Sequence, residues 1–259
     1  MLALLTTLCG TATAISDAVL VDTLSRFNAA AHNPLPELSV SERQRLLSGE
    51  VIKQLTPQPD GTLRVVGFIF TDQPRDRMWL STQDHHFSGG EAIEAPIYLK
   101  KNQSSWYAML DLPRPFKDRH WVIEIWDNVD LAKQGDGAFW EHPWRLNPDG
   151  ISVARPLVER GAVEGLDLEG FDAALYTPVN QGALVFIALP DQHSLMAYDV
   201  TSVIGGNIPD RLVAEFVRMS MERSLRAVEK RAREVIPGHY REGHTPILGA
   251  DGAAVSFCP

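Results

Sequence analysis

The feature that most limits how this chain can fold is its last long element. After Gly205-Gly206-Asn207-Ile208-Pro209 the sequence runs to Val235 without another glycine or proline, and Pro237-Gly238 ends the run. This predicts a helix of about 27 residues, roughly 40 Å long at 1.5 Å per residue. Leu212, Val213, Phe216, Val217, Ser220, Ser224, Val228, Ala232 and Val235 fall on one stripe, and charged residues from Arg218 to Glu234 crowd the other side. A helix so charged cannot span a bilayer, so it must lie on an apolar surface built by the rest of the chain.

The preceding sequence supplies that surface. Val51, Ile52 and Leu55 lead into the turn cluster Pro57-Gln58-Pro59-Asp60-Gly61, and the β-branched and aromatic run LRVVGFIFT at 63–71 follows, which reads as a hairpin. A polar helical interlude is expected at 73–86. Strand signals then recur at 91–101, 104–112, 118–129, 139–146, 171–177, 182–189 and 194–202, each bounded by Gly, Pro, Asn or Asp. The expected architecture is α+β, an antiparallel meander under one long helix. Residues 147–167 carry glycines and charges without a clear period and read as an inserted excursion. Upstream, 17–31 has helical spacing at Val19, Leu20, Leu24 and Phe27, and Ser39 or Ser41 with Glu42 can cap a second short helix. The organisation expected is a candidate signal peptide at 1–14, a helix and linker at 15–38, the main domain at 39–236 and a tail at 237–259.

Charge narrows the partners. A formal net charge of −9 over 259 residues, with no basic stripe, argues against nucleic acid, whose phosphates call for a clustered positive field. Residues 1–14 form a short apolar run ending in Ala12-Thr13-Ala14, which resembles a secretory cleavage site but lacks a basic n-region. The expectation is a periplasmic or secreted protein, with a cytoplasmic one as the alternative. Cys9 and Cys258 are the only cysteines, too few for a disulfide framework or a metal knuckle.

Three local patterns sit on this order of elements. Ser48-Gly49-Glu50-Val51 looks like the "aGevv" opening of bacterial START-like proteins. The run Pro113-Arg114-Pro115-Phe116-Lys117-Asp118-Arg119 resembles their "PxPxxDRD" motif, and Gly205-Gly206-Asn207-Ile208-Pro209 their "GGxxP". Over 39–236 the chain resembles the START-like, or SRPBCC, superfamily in its bacterial lipid-binding form. It departs from the pattern at His120, where the family has aspartate, and in the 147–167 excursion. The resemblance implies a helix-grip fold, a curved antiparallel sheet gripping a long C-terminal helix around a hydrophobic cavity. It also implies binding, transport or sensing of a lipid or other hydrophobic small molecule, by a monomer with transient membrane contact and no cofactor. The alternative is a polyketide cyclase or aromatase-like enzyme in the same fold.

Strand alternation places candidate ligand contacts on the inner face. In 118–127 the set Arg119, Trp121, Ile123 and Ile125 is assigned inward. Ile93, Ala95, Ile97 and Leu99, then Trp106, Ala108 and Leu110, then Met196, Tyr198 and Val200 follow, with Glu94, Lys100 and Asp111 outward. The ligand-binding candidates are Trp79, Ile97, Trp106, Ala108, Arg119, Trp121, Ile123, Met196, Tyr198, Phe216 and Ser220. Arg119 is the polar exception. It needs either a distant carboxylate or a ligand head group to offset the cost of burying its charge.

The sequence contains no GxSxG, HExxH, CxxC, P-loop or GxGxxG motif. Asp84-His85-His86 is an isolated triplet and reads as polar loop chemistry rather than a metal site. Glu141-His142, beside Trp140 and Trp144, is the best acid/base pair for the enzymatic alternative. No catalytic residue is assigned and the chain is read as a binding protein.

Overall fold

The computed structural model describes residues 15–83, 93–240 and 247–255. The Ala12-Thr13-Ala14 site, both cysteines and the Asp84-His85-His86 triplet lie outside the described residues.

Helix α1 (Asp17–Ala30) begins at Ser16, whose hydroxyl accepts from the Val19 N–H, and buries Leu20, Leu24 and Phe27. The amide of Asn28 then bonds both backbone groups of Leu35 at 2.9 Å, folding the proline-rich linker back. Helix α2 (Val40–Leu47) opens with a capping box in which Ser39 and Glu42 each satisfy an otherwise orphaned N–H of the other.

A sheet follows, made of β1 (Ile52–Pro57), β2 (Leu63–Thr71), β3 (Ile93–Lys100), β4 (Gln103–Leu110), β5 (Arg119–Trp126), β6 (Phe139–Leu146), β7 (Leu175–Tyr176), β8 (Val179–Ala188) and β9 (Ser194–Val203). Its order is β1-β2-β9-β8-β6-β5-β4-β3, antiparallel throughout, with the two-residue β7 parallel to β5. Between the strands lie α3 (Arg75–Gln83), α4 (Val129–Gln134), α5 (Gly150–Glu159) and α6 (Leu168–Ala173). The chain then runs into α7 (Asp210–Glu234) and the single turn α8 (Ile236–His239). This is the expected α+β helix-grip architecture.

Apolar residues cover both faces of the sheet. On the outer face α1, its linker and α2 pack over Ile52, Val66, Phe68, Val185 and Ala197, while α5 and α6 pack over Ala95, Tyr107, Met109 and Val122. On the inner face α7 and α3 meet Val65, Ile69, Phe186, Met196 and Val200. Gly67 sets how close α7 comes: a Cβ there would sit 2.3 Å from Met221 Sδ and 3.0 Å from Leu225 Cδ1.

Three expectations need correction. The buried stripe of α7 is Val213, Ala214, Met221, Leu225 and Ala232, with Val217 and Val228 partly buried beside it; it keeps part of the stripe read in the sequence but is turned away from Leu212 and Phe216 toward Met221 and Leu225. Leu212 and Phe216 are 59% and 65% exposed as a result. Strand β3 shifts register between Pro96 and Tyr98, so Ile93, Ala95 and Ile97 turn to the outer cluster and Glu94 turns inward. Lys100 keeps its expected outward side, on the same face as Tyr98, while reaching the cavity rim. The segment 171–177 is half helix, with Phe171 buried in α6 and only Leu175 and Tyr176 paired with β5. The 147–167 excursion does interrupt the strands, and within it α5 buries Ala154, Leu157 and Val158 despite an internal Pro156.

Candidate ligand cavity

Between α7 and the β3–β6 side of the sheet lies a cavity of about 640 Å³. Its wall is built from cross-strand rows. Trp121 pairs with Ala108 and Ala108 with Glu94; Ile123 pairs with Trp106; Ile125 pairs with Ser104 and Ser104 with Leu99. A fourth row, Tyr198, Leu184 and His142, crosses β9, β8 and β6. Each of these side chains lines the cavity, as alternation requires once one member of a row faces inward. Helix α7 contributes Ser224, Leu225 and Val228, and Met196 and Trp144 complete the apolar wall.

Six of the candidate ligand contacts therefore lie together in this wall: Trp106, Ala108, Trp121, Ile123, Met196 and Tyr198. The other five do not line it. Ile97 is carried to the outer face by the β3 bulge. Trp79 is fully buried behind the wall, where its Nε1 donates to the Leu248 carbonyl at 2.9 Å and its ring meets Trp140, Phe186 and His142 edge on. Phe216 faces solvent. Ser220 returns its hydroxyl to the Val217 carbonyl at 3.0 Å, one turn before the cavity-lining Ser224.

Among the described residues Arg119 pairs with no carboxylate, and it does not line the cavity. Only 2% exposed, its guanidinium donates to the carbonyls of Ile204 at 2.6 Å, Gly205 at 2.9 Å and Asp118 at 3.3 Å, and to that of Lys117. It ties the first residue of β5 to the glycine loop before α7. Backbone dipoles take the place of the expected acid, a solution that residue types alone do not reveal.

The structure divides the Glu141-His142 pair between the two faces of β6. Glu141 turns outward, where its carboxylate accepts from Asn128 Nδ2 at 2.5 Å. Burial pushes its carboxyl above the usual range, opposed by the Asn128 bond and reinforced by the nearby charge of Asp199. His142 turns inward and finds a different acid, with its Nδ1 lying 2.8 Å from Asp127 Oδ1. Both side chains are largely buried, 20% and 11% exposed, and both line the cavity. Asp127 follows β5 directly and is joined to the β3–β4 turn, its N–H donating to the Asn102 carbonyl at 3.1 Å. Asn102 also lines the cavity, and its side-chain Oδ1 is buried without a hydrogen-bond partner among the described residues. Sequence reading missed Asp127 and Asn102 because each lies just outside a strand, where alternation no longer assigns a face.

The rest of the wall is neutral or carries its charge at the rim. Burial pushes the Tyr198 phenol up, so it stays un-ionised. Lys100 and Lys101 are exposed, and Lys100 lays its ammonium 4.9 Å from the Tyr98 ring. Among the described residues no group of three or more His, Cys, Asp or Glu side chains is placed to hold a metal ion, and no helix is long and apolar enough to cross a membrane.

No protein-family model matches this chain, and no curated relative does. Solved structures with the same architecture do. Human StAR-related lipid transfer protein 5 is similar at 12% identity and a TM-score of 0.54, over 84% of this chain and 94% of that one. The lipid transfer and protein localization domain of human StarD13 (DLC2) is similar at 9% identity and 0.52, over 85% and 100%. A STAR-related lipid transfer protein fragment from Xanthomonas axonopodis is similar at 15% identity and 0.50, over 70% and 99%. With the strand order, the long gripping helix and the cavity between them, these likenesses establish that the chain has the START-type helix-grip fold.

Proposed function

We propose that this protein binds a hydrophobic small molecule or lipid in the cavity beneath α7, as a carrier or a sensor. The observation that supports the reading is the cavity itself. Its volume of about 640 Å³ falls within the range of small-molecule sites, roughly 300 to 1,000 Å³. Its wall is apolar and aromatic, with a few polar groups converging at one side. Lipid transfer named for structures of the same fold points the same way. The test is native mass spectrometry of protein incubated with a total lipid extract, paired with the fluorescence of Trp106, Trp121 and Trp144. A retained ligand and a shifted emission support binding, whereas a bare mass and unchanged emission with every lipid class overturn it.

Two further observations extend the reading. Leu212, Phe216 and Met219 repeat at helical spacing on the outer side of α7, 59%, 65% and 63% exposed. We propose that they make transient contact with a bilayer during ligand exchange. Phe216→Glu then lowers recovery with floated neutral vesicles, and an unchanged recovery ends the idea. The Asp127–His142 pair supports a second reading, a cyclase-type enzyme using His142 as its base. Turnover of a poly-β-keto thioester that Asp127→Ala abolishes and Glu141→Gln leaves intact favours the enzyme over the carrier.

A further inference from the structure

We infer that the cavity selects a neutral alcohol, one whose hydroxyl donates a hydrogen bond to Nε2 of His142. The inference rests on the ligand-binding reading above and deepens it. A carboxylate oxygen only accepts, so the 2.8 Å contact with Asp127 Oδ1 places the imidazole hydrogen on Nδ1. In the neutral ring Nε2 is then a bare acceptor. Among the described residues nothing donates to it; Trp79 meets the ring edge on at 5.6 Å. The second buried acceptor here is Asn102 Oδ1, also without a partner among the described residues. Asn102 Oδ1, buried without a partner among the described residues, and an acceptor nitrogen on the cavity-lining His142 ring favour a ligand that brings hydrogen, since a buried polar atom left unpaired is costly.

The same corner disfavours the alternatives. An ester or ketone brings only lone pairs to lone pairs. A carboxylate or phosphate brings negative charge toward the largely buried Asp127, where a reduced dielectric strengthens the repulsion. The lysines that could answer it, Lys100 and Lys101, are exposed. Size narrows the class again: with each water-sized group taking roughly 30 Å³, a cavity of about 640 Å³ holds roughly 20 such groups. That suits a single-chain or fused-ring alcohol.

Three probes of one chain length separate these chemistries: cetyl alcohol, methyl palmitate and palmitate. Each is titrated into the full-length protein at neutral pH and followed by tryptophan emission and native mass. Cetyl alcohol is expected to bind roughly tenfold more tightly than methyl palmitate, the effect of one well-made buried hydrogen bond. His142→Leu removes the acceptor and with it the difference between these two probes, while His142→Gln, which keeps an acceptor oxygen, retains part of it. Asp127→Asn provides an independent check, because an amide N–H facing Nδ1 moves the ring hydrogen to Nε2 and shifts the preference toward the ester. Equal binding of alcohol and ester, or an alcohol preference that survives His142→Leu, overturns the assignment while leaving the cavity as a lipid site. Tightest binding of palmitate overturns it in favour of an anionic head group at Lys100 and Lys101. If none of the three binds, both the assignment and the ligand-binding reading fail.

Discussion

Arg119 Nε donates to the Ile204 carbonyl at 2.6 Å, so the first residue of β5 holds the loop from which α7 departs. Further bonds to Gly205 and Lys117 spread the guanidinium fork over both segments. A Cβ on Gly206 would come within 2.8 Å of Arg119 Nη2, which is why this loop passes so close to the side chain only as glycine. Arg119→Met fills similar space but leaves several carbonyls unpaired, and its expected cost is about 3 kcal/mol in urea unfolding. Arg119→Lys is expected to recover less than half of that, since a compact ammonium cannot span the fork.

Gly67 and Met221 define the contact on which α7 rests. Gly67→Val is expected to destabilise the protein by about 2 kcal/mol through overpacking. Because the clash is with Met221, adding Met221→Ala should return part of the loss. A double-mutant cycle by chemical denaturation measures that coupling, and strict additivity would place the clash elsewhere.

These two contacts also show what was legible in the sequence and what was not. The length of α7, the strand series and the glycine loop at 205–206 follow from local rules of breakers and periodicity, and apart from 171–177 the structure has them to within about three residues at each end. The rotation of α7 was harder to read. Met221 and Leu225 compete with Ser220 and Ser224 for the inward position, and only the gap over Gly67 decides in favour of the larger pair. The cavity wall on β4, β5 and β9 was recovered by simple alternation. On β3 a single bulge inverted it, turning Glu94 inward and Ile97 outward. Arg119 illustrates a different limit, since its partners are backbone carbonyls distant in the chain and carry no residue-type signature.

Two buried titratable groups give pH dependences of opposite sign. His120, 2% exposed, touches Tyr107 through Nδ1 at 3.2 Å and is boxed by Phe171 and Tyr176. Burial lowers its pKa below 6.5, opposed by the charge of Asp172. The unfolded chain therefore takes up the proton first, and stability falls as pH drops below 6.5 toward the folded value. His120→Phe should unfold with a shallower loss between pH 7 and pH 5 than the native protein. Glu141 works in reverse: its carboxyl is raised above 4.5, so stability is lost as pH climbs through the raised value. The stability of Glu141→Gln relative to the native protein should therefore improve from pH 5 to pH 8, and a flat difference would mean the carboxylate is better solvated than its burial implies.

The cavity itself can be tested by filling it from the helix side. Ser224 lines the cavity, while Ser220, one turn earlier, does not, and both hydroxyls already bond to their own helix at 3.4 Å and 3.0 Å. Ser224→Trp projects an indole into space that ligand would occupy, and is expected to weaken uptake of a bound probe at least tenfold. The fold should survive, because the new ring enters an existing void, with a cost of about 1 to 3 kcal/mol if it also presses on its neighbours. Ser220→Trp is the matched control and should leave uptake within about twofold, a difference of only a few tenths of a kcal/mol. Equal effects at the two positions would mean that ligand does not reach the turn of α7 carrying Ser224. Normal uptake by a folded Ser224→Trp protein would move the binding site away from α7 altogether, toward the β3–β4 wall where Trp106 and Leu99 stand.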